Sequence, residues 1–241
     1  MSRNLLLVSS SKCHPSGYLD HCAEQAAELF TAVTEIIFVP YARPGGMTHD
    51  AYTAVARERF AAMKIAVRGL HEFDDPAAAI EESQGMFIGG GNTFVLLKQL
   101  YDDGVIELVR RRLQSGTPYL GTSAGSNVAG LTIGSSNDMP IVHPPSFDAF
   151  GVVPFNINPH YPRAAADPTH MGETRDDRIK EFHIFNSQPV VSIREDSMLR
   201  VVGETMTLIG ETDGYVFRTG KERETVAAGS DLSELLIPAQ L

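Results

Sequence analysis

The residues from Tyr119 to Ser126, Tyr-Leu-Gly-Thr-Ser-Ala-Gly-Ser, carry the densest chemical signal in the chain. Gly121 and Gly125 flank Ser123 in a Gly-x-Ser-x-Gly arrangement. Such spacing predicts a strand that turns sharply into a helix, with the serine hydroxyl projecting from a strained corner. A serine hydroxyl is a weak nucleophile until a neighbouring base takes its proton. Two further segments offer the partners: Asn137-Asp138-Met139-Pro140 and Asn158-Pro159-His160. Ser123, Asp138 and His160 thus stand in the order nucleophile, acid, base.

His160 is the candidate base, because an imidazole ordinarily titrates near neutrality. It lies between Pro159 and Tyr161-Pro162, a stiff setting. His143 and His170 share the same loop-rich region and are its rivals. Asp138 is the candidate acid, which would orient the imidazole and stabilise its protonated form. The plainer reading is a turn aspartate before Met139-Pro140. Asp148 and Glu195 are alternatives for the acid.

Gly89-Gly90-Gly91-Asn92-Thr93 follows the apolar run Met86 to Ile88 and opens a helix. Three glycines let backbone pass close to a ligand, and N–H groups there can face an oxyanion or a phosphate. The loop has neither Walker nor dinucleotide-binding spacing. Thr174 can cap a helix whose first turn holds Arg175, where the helix dipole disfavours a cation. Either a substrate carboxylate or an ion-pair network with Asp176, Asp177 and Glu181 accounts for it. No spacing of histidines, acids or the two cysteines makes a metal site, so neither metal nor cofactor is expected.

Five short runs, apolar on both faces, precede residue 121: Leu5 to Val8, Ile36 to Val39, Ile65 to Val67, Met86 to Ile88, and Tyr119-Leu120. They read as buried parallel strands. Between them lie helical stretches at Tyr18 to Phe30, His49 to Met63, Pro76 to Ser83 and Thr93 to Leu113. This alternation predicts an α/β fold, a mainly parallel sheet with helices on both faces. Both glycine-rich turns then fall at strand C-terminal ends, where such sheets place their ligand crevice.

Residues 134–174 are rich in Pro, Ser, Asn, Asp and His, which predicts long functional loops. Arg175 to His183 reads as a helix. Short strands near Val190, Leu199, Thr205, Tyr215 and Thr225 predict antiparallel hairpins toward the C-terminus. No repeat or linker divides residues 1–241, so one catalytic domain is expected.

The 241 residues suffice for one large core, and the formal net charge of −10 argues against nucleic acid and anionic membranes as partners. No apolar run approaches the roughly 18 residues of a membrane span. Two cysteines, Cys13 and Cys22, make no disulfide framework, and the cytoplasm is the expected compartment. An acidic substrate would need local cations to offset the net charge.

Five segments in fixed order resemble the aspartyl dipeptidases, the peptidase E family of serine peptidases, whose fold is that of class I glutamine amidotransferases. They are Phe87 to Phe94, Gly121 to Gly125, Asn137 to Val142, Ile157 to His160 and Gly172 to Arg175. The resemblance spans nearly the whole chain. It implies hydrolysis of dipeptides with an N-terminal aspartate, with Ser123 as nucleophile and His160 as base; a monomer or weak homodimer is expected. Asp138 matches the family's aspartate, and Glu195 stands as the alternative third member. The resemblance also implies an oxyanion hole from Gly90 or Gly91 with Ala124, and a substrate β-carboxylate on Arg175 with Asn92 as helper. One position departs: Thr122 stands where a bacterial relative carries a bulky aromatic. Serine rather than cysteine at position 123 argues against glutamine hydrolysis. A cyanophycin-type hydrolase of β-aspartyl-arginine and a non-catalytic small-molecule sensor are the alternative functions.

Overall fold

A computed structural model describes residues 2–162 and 172–237. Strands β1 (Asn4–Val8), β2 (Glu35–Val39), β3 (Ala66–Gly69), β4 (Met86–Ile88) and β5 (Tyr119–Thr122) are all parallel. Two later strands, β8 (Met198–Val202) and β9 (Thr205–Ile209), extend the same sheet antiparallel beside β1, giving the order β3-β2-β4-β5-β1-β8-β9.

Alternate residues of one strand feed two different cores, as a pleated strand requires. Leu5 and Leu7 of β1 point into one apolar cluster and Leu6 and Val8 into the other. Helices α1 (Ala23–Leu29) and α2 (His49–Ala61) close the second cluster with Leu29, Tyr52 and Phe60. Helices α3 (Pro76–Glu82), α4 (Thr93–Asp102) and α5 (Ile106–Gln114) close the first with Ile80, Leu97 and Val109. The stretch expected as one helix from Thr93 to Leu113 is two. Gly104 adopts φ +68° between them, a left-handed conformation that ends α4 without steric cost. A single turn of helix, α6 (Ala124–Asn127), follows β5.

A second sheet, not anticipated, has the order β11-β10-β7-β6. It contains β6 (Asn156–Asn158), β7 (Val190–Ser192), β10 (Gly214–Phe217) and β11 (Glu224–Val226). Only β8 and β9 of the expected C-terminal hairpin strands join the main sheet. β6 and β7 are parallel, with Asn158 level with Ser192. One face of this sheet shares the first cluster through Ile157, Val191 and Val216. The other packs Val190, Tyr215 and Phe217 against Ile179 of α7 (Arg175–Phe185). The strand β6 lies inside the stretch expected to be loop, with three residues too few for a periodic signal.

Candidate active site

Three adjacent strands of the main sheet, β4, β5 and β1, end side by side, and their C-terminal turns form one wall of the site. At the end of β5, Ser123 has φ +52° and ψ −108°, far from the regions a serine ordinarily occupies. Close packing holds it there. A Cβ on Gly125 would stand 2.2 Å from the Ile88 carbonyl oxygen, and one on Gly121 would stand 2.6 Å from that of Gly125. The Ser123 N–H donates to the Val8 carbonyl at 3.0 Å. The buried Ser126 hydroxyl reaches the Val8 and Gly121 carbonyls at 2.7 and 2.9 Å. Tyr119 donates its hydroxyl to the Gly125 carbonyl at 2.6 Å. The turn is over-determined and has the geometry of a nucleophile elbow.

The second sheet supplies the opposite wall. His160 lies two residues beyond β6, with φ +58°. Its Nε2 is 2.8 Å from Ser123 Oγ, and its Nδ1 is 2.8 Å from Glu195 Oε1, three residues beyond β7. A carboxylate only accepts, so Nδ1 carries the proton and Nε2 is left to accept from the serine. His160 and Glu195 side chains are each about two-fifths exposed (38% and 42%), which leaves the relay open to the crevice. The His160 hydrogen bond, helped by one from Ser10, holds the Glu195 carboxyl below its ordinary range.

Asp138 does not touch the imidazole. One of its carboxylate oxygens accepts from the Thr93 N–H at 2.7 Å and from the Thr93 hydroxyl at 2.5 Å. Thr93 opens α4, so the acid is drawn to unpaired N–H groups and the positive end of the helix dipole. Asn127 completes the cluster by donating to the Thr93 hydroxyl at 2.9 Å. The acid facing His160 is therefore Glu195, and the expectation of Asp138 in that place is corrected. Of the other candidates, His143 and Asp148 are exposed and have no bond to Ser123 or His160. His170 lies outside the described residues.

The family model for peptidase family S51 matches residues 5–209. The chain belongs to peptidase family S51. It is 47% identical to "Peptidase E" of Streptomyces coelicolor over 233 residues, covering 97% of this chain and 95% of that one. It is 45% identical to the "Probable alpha-aspartyl dipeptidase" of Drosophila melanogaster, covering 98% of each. In fold it is similar to a peptidase from an acI-B1 actinobacterium, with a TM-score of 0.70 at 17% identity, covering 96% of this chain and 97% of that one.

Around the relay of this S51 member, the glycine-rich turn after β4 sits directly against the elbow. A Cβ on Gly90 would stand 3.0 Å from that of Ser123. Gly91 has φ +147°, and any side chain there would collide with Ala42, its Cβ only 2.1 Å from the carbonyl oxygen. Among the described residues, the N–H groups of Gly90, Gly91 and Ala124 donate to no partner. Thr122 is fully buried beneath this turn, its Oγ1 3.6 Å from the Gly90 Cβ position, so it bears on the loop from below.

Asn92 is engaged at both ends of its amide. Its Oδ1 caps α4 at the Val95 N–H, 3.1 Å away, and its Nδ2 donates to the Met139 carbonyl at 2.8 Å. It fixes the 137–139 loop with one of its two amide N–H donors.

Arg175 is the first residue of α7, capped by Thr174 and Asp177. Its guanidinium is half-buried, and one nitrogen, Nη1, donates to Asn158 Oδ1 at 3.0 Å and to the Pro159 carbonyl at 3.3 Å. Burial lowers its pKa and nearby Arg178 lowers it further, while Tyr161 and Asp138 act the other way. Asp176 instead pairs with Arg223 at 2.9 Å. The cation is thus fastened beside His160, and among the described residues its guanidinium donates to Asn158 and Pro159 but to no carboxylate.

Among the described residues, Asp50, His71 and Glu72 form one group of metal-capable side chains. Glu72 already takes a two-oxygen contact from Arg57 at 2.6 and 2.7 Å and an N–H from Gly69. No helix among the described residues is long and apolar enough to cross a membrane. The sequence reading missed Thr93 and Asn158, since a lone Thr or Asn at an element end looks like an ordinary cap.

Proposed function

We propose that the chain is a serine dipeptidase that hydrolyses dipeptides carrying an N-terminal aspartate. The observation that carries this reading is the unbroken relay from Ser123 through His160 to Glu195, with Arg175 fastened beside the base. The names of the curated relatives support the same reading over a polymer hydrolase or a sensor.

The chemistry follows from the geometry. His160 Nε2 takes the Ser123 proton as Oγ attacks the carbonyl of the N-terminal aspartyl residue. Glu195 stabilises the imidazolium that forms. The free N–H groups of Gly90 or Gly91 and of Ala124 receive the oxyanion of the tetrahedral intermediate. His160 then gives its proton to the leaving amine, the acyl-enzyme remains, and water activated by the same imidazole releases aspartate.

Arg175 provides a charge-assisted contact for the β-carboxylate of the substrate. Asp138 acquires a different role from the one its motif suggested. It lies close enough to Arg175 to stabilise its charge, and it lines the crevice at the start of α4. Its carboxylate is the natural partner for the free α-ammonium of the substrate, so one anion and one cation read the two charges of an N-terminal aspartate. A cytoplasmic site of action, and a monomer or weak homodimer as the working form, belong to the same proposal.

The test is hydrolysis of Asp-Leu, Asn-Leu, Glu-Leu and acetyl-Asp-Leu by the wild type and by Ser123→Ala. Cleavage of Asp-Leu alone, lost in the variant, is the expected result. Activity that survives Ser123→Ala would remove the relay from the mechanism.

A further inference from the structure

We propose that Ser9 is a positioning residue for the catalytic base, holding from one buried hydroxyl both the His160 backbone and the strand end that carries Glu195. This rests on the relay reading above and adds to it a residue that neither motif contains.

Ser9 follows the last residue of β1 and is fully buried. Its own N–H is tied to the Ser197 carbonyl at 3.0 Å, so its backbone is fixed by the main sheet. Its Oγ accepts the His160 N–H at 2.8 Å and donates to the Ile193 carbonyl at 3.1 Å. Ile193 stands two residues before Glu195. The same carbonyl also accepts the Tyr161 N–H at 3.0 Å, and the Ile193 N–H returns to the Asn158 carbonyl at 3.1 Å. One side chain of the first sheet therefore clamps together the two loops of the second sheet that hold base and acid.

The clamp matters because His160 is left-handed, with φ +58°. In that conformation its N–H turns away from the strand ladder, and a buried N–H without an acceptor is strongly disfavoured. Ser9 supplies the acceptor. Without it the residue relaxes toward ordinary backbone angles, which swings the imidazole away from Ser123. The next residue, Ser10, helps to keep the Glu195 carboxyl ionised, its hydroxyl lowering that pKa after the larger effect of His160. Ser9 thus supports the relay from the main sheet, through the backbone of His160 and the strand end that leads to Glu195.

The experiment uses the full-length protein as wild type, Ser9→Ala and Ser9→Cys. Each is assayed for kcat and KM on Asp-Leu, for the rate of labelling by a small fluorophosphonate, and for thermal unfolding. Labelling of wild-type Ser123, read by mass spectrometry, tests the relay independently; without it the enzyme reading itself fails, whatever Ser9 does. Given that labelling, Ser9→Ala is expected to lose about 10- to 100-fold in both kcat and labelling rate, with KM nearly unchanged, since substrate contacts stay intact. Ser9→Cys, a weak donor and acceptor of similar size, is expected to lie between the two. A Ser9→Ala enzyme with kcat and labelling rate within about twofold of wild type would overturn the proposal. So would a loss confined to KM. Should Ser9→Ala not fold, Ser9→Cys is judged by the same two criteria.

Discussion

His160 and Glu195 leave the C-terminal ends of two neighbouring parallel strands and meet at 2.8 Å. Parallel strands in register carry their downstream residues in the same direction, so β6 and β7 deliver a base and an acid to one place across 35 residues of sequence. Asp138, nearer in sequence to His160, is held instead by the start of α4.

The two acids should separate kinetically. Glu195→Gln is expected to lower kcat on Asp-Leu by about 10⁴-fold, because the amide no longer enforces the productive imidazole tautomer. Asp138→Asn should leave kcat close to wild type and raise KM by about 10- to 150-fold, the worth of one charge-assisted bond to the substrate ammonium. Steady-state kinetics on the two variants decides. Equal losses in kcat would return Asp138 to the relay.

Removing the nucleophile should be as damaging as removing the whole relay. Ser123→Ala is expected to lose about 10⁶-fold in kcat while binding aspartyl dipeptides as before. Calorimetric titration with Asp-Leu is the check, since the inactive protein holds substrate without turning it over.

Selectivity for aspartate should reside in Arg175. Arg175→Met is expected to lower kcat/KM for Asp-Leu by about 10- to 150-fold and to leave Asn-Leu nearly untouched. Selectivity that persists in the variant would move the carboxylate site elsewhere.

Acid should weaken the fold partly through Glu195. Its folded pKa is depressed below the ordinary 4.5, chiefly by the His160 hydrogen bond, with Ser10 and nearby His21 also helping. Stability from that bond is therefore complete above about pH 4.5 and is lost as pH falls through the lower folded value. Glu195→Gln has no such charge to lose. Its melting temperature should fall less than that of wild type between pH 6 and pH 3, as followed by circular dichroism.

The elbow should tolerate no side chain at its second glycine. Gly125→Ala drives a methyl into the Ile88 carbonyl oxygen, 2.2 Å away, and should destabilise the fold by at least about 1–3 kcal/mol. Gly45→Ala meets nothing within 4 Å and serves as the control. Urea denaturation measures both.

Much of this was legible in the chain. Strands β1, β2 and β4 announced themselves because a strand buried on both faces must be apolar throughout, as Leu5 to Val8 and Ile36 to Val39 are, whereas β3 at the sheet edge leaves Ala66 and Arg68 exposed and is buried on one face only. Ser123 was legible because its corner admits only glycine two positions to either side, at Gly121 and Gly125. The second sheet was not, since β6 is three residues long and begins and ends with asparagine. Without that sheet the acid could not be assigned. Asp138 sat in a conspicuous motif, whereas Glu195 follows an unremarkable strand and becomes significant only through the register of β6 with β7. Ser9 was hidden for the same reason: its partners lie 151 and 184 residues away.

Ser123 belongs to the first sheet, and the His160–Glu195 pair to the second. A chain that has emerged from the ribosome as far as Gly130 already holds every residue of the elbow but neither His160 nor Glu195. On the proposed mechanism, such a fragment holds the serine without the imidazole that would take its proton. On the proposed mechanism, peptide-cutting power therefore waits for β6 and β7 to bring His160 and Glu195 up to a corner that was folded before them.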